Sequence, residues 1–276
     1  MTGPGPVEVA RTLLFVPGHR PDRFDKAAAA GADAVVLDLE DAVAADAKDA
    51  ARAAVVGWLR TAVPGVPVLV RVNAAGTPWH ADDVAALASL PTPPAALVLP
   101  MAEPGEALTA LGAGPVPVVA LVETAAAVLD ARAVAATPGV VRLALGSFDL
   151  AGELGVDPLE RAAIDPARTA LVYASAAAGL PGPVDGVRGA VDDEAGLREE
   201  TVQARRLGLT GKLCIHPRQV GLVAEVLRPS ADEVAWARRI ADAGVDGVAT
   251  VDGQMVDKPV VDRALRILQS LPKENR

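Results

Sequence analysis

Eight short runs of valine and leucine, each followed by a longer alanine-rich stretch, set the strongest limit on what this 276-residue chain can fold into. The runs lie at 12–16, 34–39, 68–72, 96–99, 116–122, 141–145, 184–187 and 212–215. They are apolar at successive rather than alternate positions, as expected of parallel strands covered on both faces. The stretches 22–30, 48–59, 81–90, 103–111, 124–136, 166–178, 193–207 and 218–226 read as the helices between them. Eight strand–helix units in series close an α/β (β/α)8 barrel, the TIM barrel. An open doubly wound sheet competes, but no G-x-G-x-x-G follows the first strand. The expected organisation is a flexible tail over 1–10, the barrel over 11–229, and a C-terminal extension and lid over 230–276. That extension comprises a helix at 230–243, a Gly/Val-rich stretch at 245–253 and a helix at 258–271.

Composition narrows the function classes. With 51 % apolar and 22 % charged residues the chain can bury a core, which excludes disorder for the body. A net charge of −9 and only three Trp, three Phe and one Tyr argue against a nucleic-acid partner. The single cysteine, Cys214, cannot close an internal disulfide, and the N-terminus lacks a basic segment followed by an apolar one. A cytoplasmic protein is expected. The uncharged stretch 84–102 is broken by Pro91, Pro93, Pro94 and Pro100, so no membrane span is expected.

In a barrel the loops after the strands build the active site. Here the strand ends carry Arg20, then Glu40 and Asp41, then Arg71, Glu123, Asp149 and His216. Carboxylates held close together repel one another and are driven to protonate unless a cation compensates. No His/Cys cluster is present, so the oxygen-rich set favours a hard ion, Mg²⁺ or Mn²⁺, with Glu123 and Asp149 as its ligands. Arg71, emerging from a buried strand, can grip a carboxylate in a two-pronged fork. A cation beside such a clamp suits a 2-oxo acid and the polarisation of its carbonyl in a carbon–carbon cleavage.

Seven ordered motifs carry a resemblance: RTLLFVPGHRPDRFDK (11–26), LDLEDA (37–42), VRVN (70–73), LVET (121–124), GSFDL (146–150), CIHP (214–217) and GQMVDKP (253–259). The chain resembles citrate lyase β-subunit-like proteins of the HpcH/HpaI aldolase and citrate lyase group over nearly its whole length. The resemblance implies a TIM barrel and a Mg²⁺-dependent lyase. Its substrate would be a 3-hydroxyacyl-CoA thioester of the citramalyl, malyl or citryl type, split into an acyl-CoA and a 2-oxo acid. It implies that Glu123 and Asp149 bind the metal and that Arg71 binds the substrate carboxylate. Glu40 and Asp41 would order water or the arginine, and Arg20 and Lys26 would meet CoA phosphates. Asp257, in the lid segment, would exchange the proton with the enolate carbon in a neighbouring subunit's site, making the protein a homo-oligomer, a trimer or dimer of trimers. Two positions depart from the pattern: Met101 stands where many relatives have lysine, and His19 where aspartate is common.

Other readings remain open on the residues alone. Glu123 and Asp149 are also ordinary acids at helix starts, favoured by ~0.3–1 kcal/mol. Arg71 can simply neutralise Glu40 or Asp41, Asp257 is also a helix cap, and His216 and Cys214 read as packing residues. At the level of function, an aldolase or decarboxylase of free 2-oxo acids such as oxaloacetate competes, as does a non-catalytic ligand-binding or partner subunit.

Overall fold

A computed structural model describes residues 5–243, 249–251 and 253–271. The chain divides into two compact units, Met1–Ala224 and Glu225–Arg276. In the first, eight parallel strands close into a barrel in sequence order: β1 (Thr12–Pro17), β2 (Ala34–Asp38), β3 (Val68–Arg71), β4 (Ala96–Leu99), β5 (Val118–Val122), β6 (Val140–Leu145), β7 (Val184–Asp185) and β8 (Gly211–Cys214). β1 and β8 pair to complete the ring, Leu13 beside Leu213. Strands β2 to β5 are buried at every position, which is why their sequences do not alternate. Leu13, Val36, Leu69, Val98, Leu121 and Leu213 belong to the buried cluster that fills the barrel.

The lower end of the barrel is plugged. Arg142, wholly buried on β6, donates from Nη1 to the carbonyls of Val7 (2.9 Å) and Ala10 (2.6 Å). Its Nε reaches Gly182 O at 3.1 Å and its Nη2 reaches Thr210 Oγ1 at 3.0 Å. Burial pulls this guanidinium down to about 10, against the charges of Asp33 and Glu8, which raise it. Within the segment 1–10, Pro6–Val9 is a short helix with Val7 buried, and these bonds reach it. Residues 1–4 lie outside the described residues.

Other departures have local causes. The helix expected over 124–136 is two, Ala125–Leu129 and Ala131–Ala136, separated at Asp130. A helix at Ser147–Leu154, unforeseen in the sequence, follows β6 directly. The helix expected from 166 starts at Arg161 because the Glu160 side chain accepts from Ala162 N–H and caps it there, leaving Pro166 inside. β7 has only two residues and a single register pair with β6, Ala144 with Val184. An ionic knot reinforces this seam. Asp185, fully buried, takes Arg168 Nε at 2.7 Å and Lys212 Nζ at 2.8 Å, while Glu200 accepts from both cations. The Lys212 ammonium also bonds Gly186 O at 2.8 Å, just past the end of β7.

In the second unit, helices Ala231–Asp242 and Lys258–Gln269 share a small core of Ala237, Ile240, Val256 and Ala264. The first begins with a capping box in which Ser230 and Glu233 satisfy each other's backbone N–H groups. Residues 244–248 and 252, which include most of the Gly/Val-rich stretch expected over 245–253, lie outside the described residues. Ala249–Val251 forms a strand, β9, that pairs antiparallel with β10 (Gln254–Val256) just beyond the stretch, a ribbon not foreseen in the sequence.

Candidate active site

The ends of β2, β3, β5 and β6 deliver charged side chains to a cavity of about 400 Å³ at the C-terminal mouth of the barrel. Asp38, Asp41, Arg71, Glu123 and Asp149 line one part of it, and Leu121, Leu145, Val187, Leu213 and Ile215 form an apolar wall. Four expected site residues, Arg71, Asp41, Glu123 and Asp149, thus meet at one cavity. Glu40 adjoins it through Arg71.

Arg71 is the hub. Its Nε and Nη2 each donate at 2.7 Å to the two oxygens of Asp38, and its Nη1 lies 2.7 Å from Glu40 Oε2 and 3.4 Å from Asp41 Oδ2. The Phe15 ring stands 5.0 Å from the guanidinium carbon. Burial works against the charge, but the bonds to Asp38 outweigh it and raise the pKa of Arg71. Asp38 also accepts from Glu40 N–H (3.0 Å) and Ala42 N–H (3.2 Å), so one carboxylate orients the arginine and the acidic loop together. Lys48 pins the same loop, donating to Leu39 O at 2.9 Å and Glu40 O at 2.8 Å. Sequence reasoning passed over both residues. Asp38 lies within the LDLED run whose next two acids drew the attention, and Lys48 sits among helix residues.

Glu123, nearly buried just past β5, accepts from Met101 N–H at 2.7 Å through Oε1. A Cβ on Gly146 would stand 2.4 Å from the Glu123 Cβ, so only glycine fits beside it. Burial pushes the carboxyl of Glu123 up to about 8, against the Met101 bond that lowers it and with the help of Asp149 and Glu40. Glu40 is pushed up to about 7, by burial first; Arg71 opposes this, and the neighbouring acids Asp41, Asp38 and Asp149 add to it. Two elevated, mutually repelling carboxyls beside a third acid are what a divalent cation would relieve. Among the described residues no three His, Cys, Asp or Glu side chains converge as a ready-made cage. Glu123 with Asp149 nevertheless fits Mg²⁺, which takes one or two carboxylates and keeps water and substrate oxygens in its other positions.

Other expected residues fall elsewhere. Arg20 does not line this cavity: it forks onto Asp22 at 2.9 and 2.8 Å and borders a neighbouring groove with Arg23, Lys26 and His216. The groove shares Phe15, Pro17 and Ile215 with the mouth. Cys214 is buried, with its thiol pushed up to about 12 by burial. Asp257 belongs to the second unit, where its side chain accepts from Val260 N–H at 3.4 Å and caps the last helix.

The closed eight-stranded barrel gathers acids and an arginine at its strand ends, and residues 168–270 match the profile of C–C bond lyases of the TIM-barrel fold. The chain belongs to the HpcH/HpaI aldolase/citrate lyase family, whose profile covers residues 11–217, and is a carbon–carbon lyase by class. A citrate lyase subunit beta-like protein of Mycobacterium tuberculosis is 39 % identical over 265 residues, covering 93 % of both chains. A (3S)-malyl-CoA thioesterase of Cereibacter sphaeroides is 37 % identical over 258 residues, covering 90 % of this chain and 89 % of the relative. Among solved structures, CitE of M. tuberculosis in complex with magnesium, acetoacetate and coenzyme A superposes with a TM-score of 0.81 at 38 % identity, covering 95 % of this chain and 97 % of that one. Among the described residues no helix is long and apolar enough to cross a membrane.

Proposed function

We propose that the protein is a Mg²⁺-dependent lyase that cleaves a 3-hydroxyacyl-CoA thioester into an acyl-CoA and a 2-oxo acid. The observation that carries the reading is the convergence of Glu123, Asp149 and Arg71 on one cavity. A bound cation would be held by Glu123 and Asp149 and would supply Lewis-acid polarisation of the substrate's oxygens. The CitE structure with magnesium, acetoacetate and coenzyme A supports both the ion and a substrate that carries coenzyme A.

The chain's own residues divide the remaining work. Arg71 binds the substrate carboxylate through the N–H groups that Asp38 leaves free. Asp41, 65 % exposed at its side chain and 3.4 Å from Nη1, is the partner most easily displaced by that carboxylate. Asp38, Glu40 and Lys48 keep the guanidinium and its loop in place. The apolar wall excludes water from the acyl portion. Arg20, Arg23 and Lys26 border the groove that leads away from the mouth, where they face the phosphates of the CoA tail. Asp257 delivers the proton to the acyl carbon after the bond breaks, in the site of a neighbouring copy, which makes the protein a homo-oligomer, a trimer or a dimer of trimers. Without an acid there, recombination with the 2-oxo acid competes.

The test is a panel of malyl-, citramalyl- and citryl-CoA, with and without Mg²⁺, scored for the 2-oxo acid and for free thiol. Cleavage to acyl-CoA and 2-oxo acid that requires Mg²⁺ is expected. No cleavage across the panel overturns the reading, and free thiol without 2-oxo acid replaces it with thioester hydrolysis.

A further inference from the structure

Met101 is alone among the described non-glycine residues in taking a left-handed backbone, with φ 49°. It directly follows Pro100, and the position after a turn proline at positive φ is ordinarily given to glycine or asparagine. The hydrogen bonds around it show what the unusual conformation accomplishes. β4 pairs with β5 in regular register from Leu97–Val118 to Leu99–Ala120, and Leu97 N–H donates to Pro117 O at 2.9 Å. Continued regularly, the same ladder would send Met101 N–H to Leu121 O, but Ala102 N–H takes that carbonyl, at 3.1 Å. One extra residue has entered the β4 side, as in a β-bulge, a device that re-aims groups beside active sites. Released from the ladder, the Met101 amide turns to Glu123 Oε1 at 2.7 Å.

The surroundings make the contact hard to avoid. Beyond the bulge, Glu103 Oε1 accepts from Thr124 Oγ1 at 2.8 Å, tying the loop to the residue next to Glu123. On the opposite side the carboxylate leans on Gly146, where even a methyl group would collide with Oε2. Glu123 is therefore gripped from both sides.

We infer that Met101 is a positioning residue: the extra residue at the end of β4 turns its amide onto Glu123, fixes that carboxylate in one rotamer and leaves the second oxygen to the cation. The inference rests on the reading of Glu123 as a ligand. It concerns the backbone amide, so it separates variants by conformation rather than by side-chain chemistry. Glycine keeps the amide and favours the positive φ, alanine resists it, and a β-branched valine resists it most.

Mg²⁺ binding to the full-length Met101→Gly, Met101→Ala and Met101→Val proteins, measured calorimetrically beside thermal unfolding without Mg²⁺, tests this. Met101→Gly is expected to bind Mg²⁺ within about twofold of wild type and to unfold at a higher temperature. Met101→Val is expected to lose about tenfold or more in Mg²⁺ affinity, the usual effect of removing a group that orients a ligand, with Met101→Ala between them. Deuterium exchange at the Met101 amide should be slow in wild type and Met101→Gly. A Met101→Val protein that is less stable yet binds Mg²⁺ within twofold of wild type assigns the turn a structural role and overturns the inference. If Met101→Val does not fold, Met101→Ala decides by the same split. Loss of affinity in Met101→Gly equal to that in Met101→Ala overturns it as well, since the side chain would then be responsible. Wild-type protein that takes up no Mg²⁺ overturns the proposed function and this inference together, whereas the preceding outcomes strike this inference alone.

Discussion

Asp38 and Arg71 stand side by side in the register of β2 and β3 and meet in a two-pronged ion pair, with both N···O distances 2.7 Å. The sheet itself therefore sets the direction of the guanidinium, because neither partner has a loop in which to drift. Asp38→Ala leaves Arg71 buried with Glu40 and Asp41 alone and frees the backbone of the acidic loop. Breaking a buried pair by removing one partner costs ~3–5 kcal/mol, and the surviving acids place this case near the lower end. Urea unfolding should show that loss, and kinetics should show KM for the thioester rising more than kcat falls. Unchanged KM would mean that the orientation of Arg71 does not matter to substrate.

The acidity of Glu123 predicts two opposite pH dependences. Its carboxyl is pushed up from 4.5 to about 8 in the folded protein, so the native state holds a proton that the unfolded chain has released between those values. Stability without a cation should fall as pH rises through this window, because the folded state binds more protons there. Metal binding needs the carboxylate and expels the proton, so Mg²⁺ affinity should tighten by about tenfold per unit from pH 6 to pH 8. Calorimetric titration at pH 6, 7 and 8 measures this, and a flat profile would remove Glu123 from the ligand set.

Substitution at the two acids separates ligation from folding. Glu123→Gln and Asp149→Asn should each abolish Mg²⁺ uptake and Mg²⁺-dependent cleavage. Circular dichroism should stay at wild-type values, since Gln can still accept from Met101 N–H. Glu123→Gln should also flatten the fall in stability towards pH 8. Mg²⁺ affinity preserved in either variant would reassign the pair as acids held at helix starts.

Asp257 caps the last helix, and capping and proton transfer can be told apart. Asparagine is as good a cap as aspartate. Asp257→Asn should keep the melting temperature and Mg²⁺ affinity while turnover drops by about 10²-fold or more, the usual scale for a lost general acid. Mixing it with Asp149→Asn protein under subunit exchange should restore part of the activity if the residue serves a neighbour. Full turnover by Asp257→Asn would leave the cap as its whole role.

The ionic knot behind β7 should be the costliest place to remove a charge. Asp185→Asn leaves Lys212 with Glu200, and Arg168 with Glu200 and Asp165, as their nearest acids, and a loss of ~3–5 kcal/mol is expected in chemical unfolding. A variant within 1 kcal/mol of wild type, by the same measurement, would show that the knot adds little to the seam.

The sequence disclosed those features whose causes are local and repetitive. Strands β1 to β6 announce themselves because burial on both faces demands unbroken apolar runs, and the strand-end motifs then locate Arg71, Glu123 and Asp149. What stayed hidden depends on partners distant in sequence. Asp38 reads as one more acid until β3 places Arg71 beside it. Asp185 and Lys212 are separated by 27 positions and lie inside two apparently ordinary strands. The left-handed Met101 is legible only once the ladder beyond it is seen to slip by one residue. Arg142 gave no sign of its role, since three of its four acceptors are backbone carbonyls, which every sequence contains.

That last arginine bears on how the molecule is made. Its bonds join Val7 to residue 142 and, through the same guanidinium, to Gly182 and Thr210. A chain emerging from the ribosome in order must therefore keep its first turn waiting until nearly the whole barrel has been synthesised. Contacts of such long range form late because the loop they close has to be gathered first. A plug set after the walls are up predicts that truncation of the first ten residues slows the final closure of the barrel, followed by refolding kinetics, while leaving earlier strand pairing intact.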